Sequence, residues 1–178
     1  MGESGHLRVW SLRTIFVALA FLILLRALLP IRLDPPAIPG PDLLVCVIFA
    51  WVWRRPDVMT AWLIVLCMLL ADFLFQRPPG LWTALVLIGT ESLRRQTLRE
   101  GEKSLTFEFG MVALVFASMI LMQRLVLFVL LVPQPPLGAM LLHLLTTLAI
   151  YPFVVVFSMY IIGVRPLPQD DGGQRLRA

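Results

Sequence analysis

The sequence predicts an all-α integral membrane protein with about six transmembrane helices and both termini in the cytoplasm. Three observations lead there. First, 59% of the 178 residues are hydrophobic and only 15% are charged, with mean hydropathy +0.87. A soluble domain carries about 45–50% apolar and about 25% charged residues, and one of this length could not hide so much apolar surface in a single core. Second, the apolar residues fall into six runs separated by proline-rich turns. Third, the basic residues gather on one side of the topology those runs imply.

A span needs about 20 mostly apolar residues. The runs cover 12–29, 43–55, 58–75, 81–93, 107–132 and 137–164, within one transmembrane domain over 1–167. Residues 168–178 form a polar cytoplasmic tail, expected to be disordered. The first run is closed by Pro30. Arg8 and Arg13 precede it as in a signal peptide, but the A-x-A match Ala18–Ala20 falls mid-run, so a retained span is expected. Asp34–Pro41, Arg77–Gly80 and Pro133–Pro136 separate later runs, because proline cannot continue a helix and restricts the residue before it. The second run is about half the usual length. Were it re-entrant with the third, four full crossings would remain and Arg54 and Arg55 would be buried in the membrane, which is costly. Six crossings are therefore expected.

With the N-terminus inside, the cytoplasmic side holds Arg8, Arg13, Arg54, Arg55, Arg94, Arg95, Arg99, Lys103, Arg165, Arg175 and Arg177, and the outer side only Arg32 and Arg77. That is a positive-inside bias. Net charge is +4, yet the basic residues stand singly or in pairs between apolar runs. This suits an anionic leaflet, not nucleic acid.

Ionisable groups within spans need an account. Arg26 and Asp72 fall near the outer ends of their spans, and Asp42 opens the second. Gln123 and Arg124 come about 25 Å up the fifth, and His143 about two turns into the sixth. All belong to one outer layer. It lines a groove, or it consists of ion pairs such as Arg26 with Asp72 plus snorkelling of Arg124. His143 taken alone reads as a helix-packing hydrogen bonder, and Glu91 as a local pair with Arg94 and Arg95. Trp10, Trp51, Trp53 and Trp82 fit an interfacial belt, and Trp62 fits packing. Cys46 and Cys67 read as small hydrophobes. The sequence carries no H-E-x-x-H, G-x-S-x-G, Cys/His cluster or phosphate-binding glycine loop. A non-enzyme without cofactor or metal is expected.

The stretch Pro41–Leu81 carries a pattern. Pro41–Asp42–Leu43–Leu44 opens an apolar run that closes on Arg54–Arg55–Pro56; a helix bearing Asp72 follows, then Arg77–Pro78–Pro79–Gly80–Leu81. This resembles the MreD family of bacterial rod-shape-determining membrane proteins, whose pattern is a P-D-L start, an R-P pair, an intramembrane Asp and a P-L-G turn. Here the turn reads Pro-Pro-Gly. The resemblance implies a non-catalytic scaffold of the cell-wall elongation complex in the inner membrane. It implies binding to the membrane anchor of MreC, and linkage of MreB filaments to RodA and a class B penicillin-binding protein. It also implies a fold similar to the substrate-binding subunits of energy-coupling-factor transporters. Asp42, Arg55, Pro56, Asp72, Pro79 and Gly80 become the candidate determinants of fold and partner contact. The loop Arg94–Leu105 would dock cytoplasmic partners or anchor to anionic lipid. The other reading is a small-molecule-binding membrane subunit of a transporter, working with a separate ATPase.

Overall fold

The computed structural model describes residues 3–28, 40–100 and 104–164. Arg32, the turn over 34–39, Glu102, Lys103, Arg165 and the tail 168–178 lie outside the described residues. Six helices follow one another, and the described residues contain no strand: α1 Glu3–Leu28, α2 Leu43–Arg54, α3 Ala61–Leu74, α4 Leu81–Glu100, α5 Leu105–Val129 and α6 Leu137–Tyr160. Three stretches are long and apolar enough to cross a membrane: Leu7–Arg26, Leu105–Val129 and Leu137–Tyr160. The helices alternate in direction. One end of the bundle, the proline end, gathers Asp42, Arg77, Trp82 and His143; the other, the arginine end, gathers Arg13, Arg54, Arg55 and Arg94.

α2 explains why the second apolar run is short. Every residue from Leu44 to Val52 is buried, and the helix packs against α6, α4 and α1. A helix apolar on every face belongs in the interior. Its 12 residues are about 18 Å long, and its surroundings are other helices. The Asp42 carboxylate caps it, Oδ1 accepting from the Val45 N–H at 3.2 Å. Pro56 follows its last residues and forbids continuation.

The outer helices each bury one stripe. Leu12, Phe16, Ala20 and Leu24 are buried on α1, spaced by four so that they share a face. Phe16 meets the Trp51 ring at 5.7 Å. α5 buries Glu108, Val112, Val115, Phe116 and Met119, and α6 buries Thr147, Tyr151, Val155 and Ser158. What they expose is equally apolar: Phe21, Leu114, Leu121, Phe128, Leu141 and Phe153. A contiguous apolar exterior of this kind marks a surface meant for something other than water.

Small-residue packing and local caps complete the frame. A Cβ on Gly89 of α4 would stand 2.8 Å from Met119 Sδ, 3.0 Å from Val115 Cγ1 and 3.3 Å from Phe49 Cζ. Glycine there lets α4, α5 and α2 approach closely. α3 ends in a Schellman turn, with the Arg77 N–H on the Asp72 carbonyl and the Gln76 N–H on that of Phe73. α5 ends in the same way through Val132 and Leu131. The left-handed positions are filled by Gln76 (φ 52°) and Leu131 (φ 56°), where glycine would be unstrained.

Three expectations change. The fourth helix runs past 93 to Glu100, so Arg94 and Arg95 lie on its polar last turns and not in a loop. Arg54 and Arg55, expected at a hydrated boundary, are only 3% and 6% exposed; each has a carboxylate partner that offsets its burial. Trp51 and Trp82 are buried in the core, whereas Trp62 is exposed. The first two direct their indole N–H groups to the buried Ser158 hydroxyl and the part-buried Asp42 carboxylate, which a belt position would not require.

Candidate functional site

At the proline end two carboxylates tie helix ends together. Asp72, on the last turn of α3, is fully buried. Its Oδ2 accepts from the Gly80 N–H at 3.1 Å, the Thr83 N–H at 3.2 Å and the Thr83 hydroxyl at 2.8 Å. It therefore caps α4 from a different helix, where the positive end of the dipole and unpaired N–H groups await an acceptor. Gly80, at φ 87°, turns the backbone so that its N–H reaches that oxygen, and Pro79 sits exposed at the turn before it. Asp72 Oδ1 has no hydrogen-bond partner among the described residues. The expected pair of Arg26 with Asp72 does not form: Arg26 lies exposed on α1, and backbone N–H groups take the place of the arginine.

Asp42 ties α2 to α4 and faces Arg77. Oδ2 accepts from Trp82 Nε1 at 3.2 Å and stands 3.7 Å from Arg77 Nη1. The Arg77 guanidinium also lies over the rings of Phe75 and Trp82. The backbone N–H of Asp42 donates to Thr147 Oγ1 on α6 at 3.1 Å, and His143 Nδ1 meets the Gly40 carbonyl at 2.9 Å. Because a carbonyl only accepts, Nδ1 carries the proton.

Only part of the expected polar layer assembles. Arg26, Asp42, Arg77 and His143 share one cleft of about 110 Å3. Arg124 stands apart: Nη1 donates to the Pro135 carbonyl at 3.3 Å and lies 2.8 Å from Met140 Sδ. It borders an open trough of about 470 Å3 with Leu121, Leu125 and Phe128. Gln123 is half-buried on α5, in neither group.

The arginine end is built more tightly. Arg55 and Asp57 flank Pro56, Nε to Oδ1 at 2.9 Å and Nη2 to Oδ2 at 2.7 Å. Burial pushes the Asp57 carboxyl up, but the Arg55 hydrogen bond and charge, with backbone donors, hold it below the usual range. This turn also offers carbonyls to two other helices. Arg13 of α1 donates to those of Val58 and Asp57, both at 3.1 Å, and Arg94 of α4 donates to that of Met59. Glu91 pairs with Arg95 alone, at 3.3 Å.

One cluster escaped the sequence. Arg54 of α2 grips Glu108 of α5 through two parallel bonds of 2.7 and 2.8 Å. The Tyr151 hydroxyl of α6 donates to Glu108 Oε1 at 2.5 Å, and Arg54 Nη1 also donates to the Ala50 carbonyl at 3.1 Å. The available signal was an acidic residue in the first turn of an apolar helix, with an arginine and a tyrosine on other apolar helices to match it. Chemically, the carboxylates of both ends join helices through backbone, indole, hydroxyl and guanidinium donors. Among the described residues no three His, Cys, Asp or Glu side chains come together as metal ligands would. No family model, curated protein or solved structure matches this chain.

Proposed function

We propose that this chain is a non-catalytic scaffold subunit of the bacterial cell-wall elongation complex, of the MreD kind. It crosses the inner membrane six times with both termini in the cytoplasm. It binds the membrane anchor of MreC and helps link MreB filaments to RodA and a class B penicillin-binding protein.

The observation that carries this reading is the use made of Asp42 and Asp72. Of the three acidic residues in the motif-bearing stretch, Asp57 pairs with Arg55, and the other two are spent on helix ends: one caps α2 and reaches α4, the other caps α4 from α3. Arg55 and Pro56 build the turn that Arg13 and Arg94 grip. A pattern whose polar members hold a bundle in one shape suits a subunit that works by presenting a surface. The apolar exterior of α1, α5 and α6 is available to lipid and to the helix of a partner.

The six-span orientation rests on charge. Without Arg54 and Arg55, whose charges are paired, the remaining basic residues assigned to the cytoplasmic side, Arg8, Arg13, Arg94, Arg95, Arg99, Lys103, Arg165, Arg175 and Arg177, still outnumber Arg32 and Arg77 on the outer side. Depletion of the chain in its own host is the test. Loss of rod shape, restored by re-expression, is expected; cells that keep their shape when the protein is gone would refute the assignment.

A further inference from the structure

The proline end holds more cationic capacity than its carboxylates use. A cleft of about 110 Å3 opens between the end of α1, the start of α2, the residues after α3 and the first turns of α6. Arg26 and Arg77 line it together with Ile23, Leu44 and Phe75. Arg26 is exposed and makes no ion pair or hydrogen bond with any described side chain. Arg77 faces Asp42 at 3.7 Å, beyond hydrogen-bond length. That carboxylate is already occupied by the Val45 N–H and the Trp82 indole. The aromatic rings of Phe75 and Trp82, centred 5.1 and 5.7 Å away, hold the Arg77 guanidinium in place while leaving its N–H donors unspent.

We propose that this cleft binds the phosphate of an anionic lipid headgroup. A guanidinium is a planar fork of donors that matches phosphate oxygens, and here two of them border one cavity in which, among the described residues, the one carboxylate, that of Asp42, is already engaged. The volume selects for a small group: pockets for drug-sized ligands measure about 300–1,000 Å3, well above this one. The walls select the source of the phosphate. Ile23 of the wall is flanked on α1 by the exposed apolar residues Phe21, Leu22 and Leu25, which an acyl chain can follow and a free anion cannot use. An arginine at the end of a membrane helix, without a protein partner, also gains most from an anion supplied by the bilayer itself. This assignment is independent of the scaffold role.

The test uses the purified full-length chain in neutral detergent, titrated with short-chain phosphatidylglycerol and followed by native mass spectrometry. One tightly held lipid is expected. Its affinity falls at least tenfold in Arg26→Gln, and at least tenfold when phosphatidylcholine of the same chain length replaces it. Arg95→Gln, which removes an exposed charge at the other end of the bundle, leaves it unchanged. Ile23→Trp fills the cleft without touching a charge and causes the same loss as Arg26→Gln, so the result does not hang on one variant. Inorganic phosphate at equal concentration does not displace the lipid. Equal weakening in Arg95→Gln would show diffuse charge attraction and overturn the site. Undiminished binding in both Arg26→Gln and Ile23→Trp, equal binding of phosphatidylcholine, or displacement by inorganic phosphate would overturn it too.

Discussion

Arg54 and Glu108, 54 positions apart in sequence, form a two-pronged ion pair almost wholly screened from solvent, with side chains 3% and 4% exposed. The pair joins the central helix α2 to the first turn of α5, and the Tyr151 hydroxyl extends it to α6. Removing one partner strands the other, at a cost of about 3–5 kcal/mol. Glu108→Ala and Arg54→Ala should therefore each lower the thermal midpoint of the purified protein sharply. Arg54→Ala combined with Glu108→Ala should cost much less than the two single losses together. Additive losses in that cycle would mean the pair does not act as a unit.

Asp72 works as a cap and not as an arginine partner. Asp72→Ala leaves the Gly80 and Thr83 donors without their acceptor, at about 1–3 kcal/mol for each buried group left unpaired. Arg26→Ala should leave thermal stability unchanged in neutral detergent. A midpoint that falls equally in the two variants would restore the Arg26–Asp72 pair.

Gly89→Val should separate α4 from α5, since the added carbons meet Met119 and Val115. Overpacking of this kind costs about 1–3 kcal/mol. Adding Met119→Ala to that variant should recover part of the loss, measured by the same thermal midpoint. No recovery would place the strain elsewhere.

Leu131 occupies a left-handed cap position and is 90% exposed. Leu131→Gly removes backbone strain and sacrifices little packing, so it should stabilise the protein by about 0.5–1 kcal/mol. A lower midpoint in this variant would show that the Leu131 side chain makes a contact worth more than the strain.

Helix number and most boundaries were legible because prolines stand at the breaks. Pro41, Pro56, Pro78 and Pro136 each lie beside a helix end. The role of α2 was not, since an apolar run reads the same whether lipid or protein surrounds it. The motif residues were legible as types, but not their partners. A carboxylate in an apolar helix calls for a counter-charge on paper, and Asp72 finds backbone N–H groups at the start of the next helix instead. Glu108 went unnoticed because its partners, Arg54 and Tyr151, lie on other helices and leave no local spacing to read. Trp51, Trp62 and Trp82 show the same limit, because belt and core tryptophans differ only in what lies opposite them.

The central claim is that the motif-bearing stretch holds a bundle through which a membrane partner is bound. The most direct measurement is capture of MreC from the host membrane by the tagged chain, wild type against Asp72→Ala, at matched membrane levels. The account predicts that wild type recovers MreC and that Asp72→Ala recovers clearly less. Failure of the wild-type chain to recover MreC, or equal recovery by Asp72→Ala at equal membrane level, would contradict it.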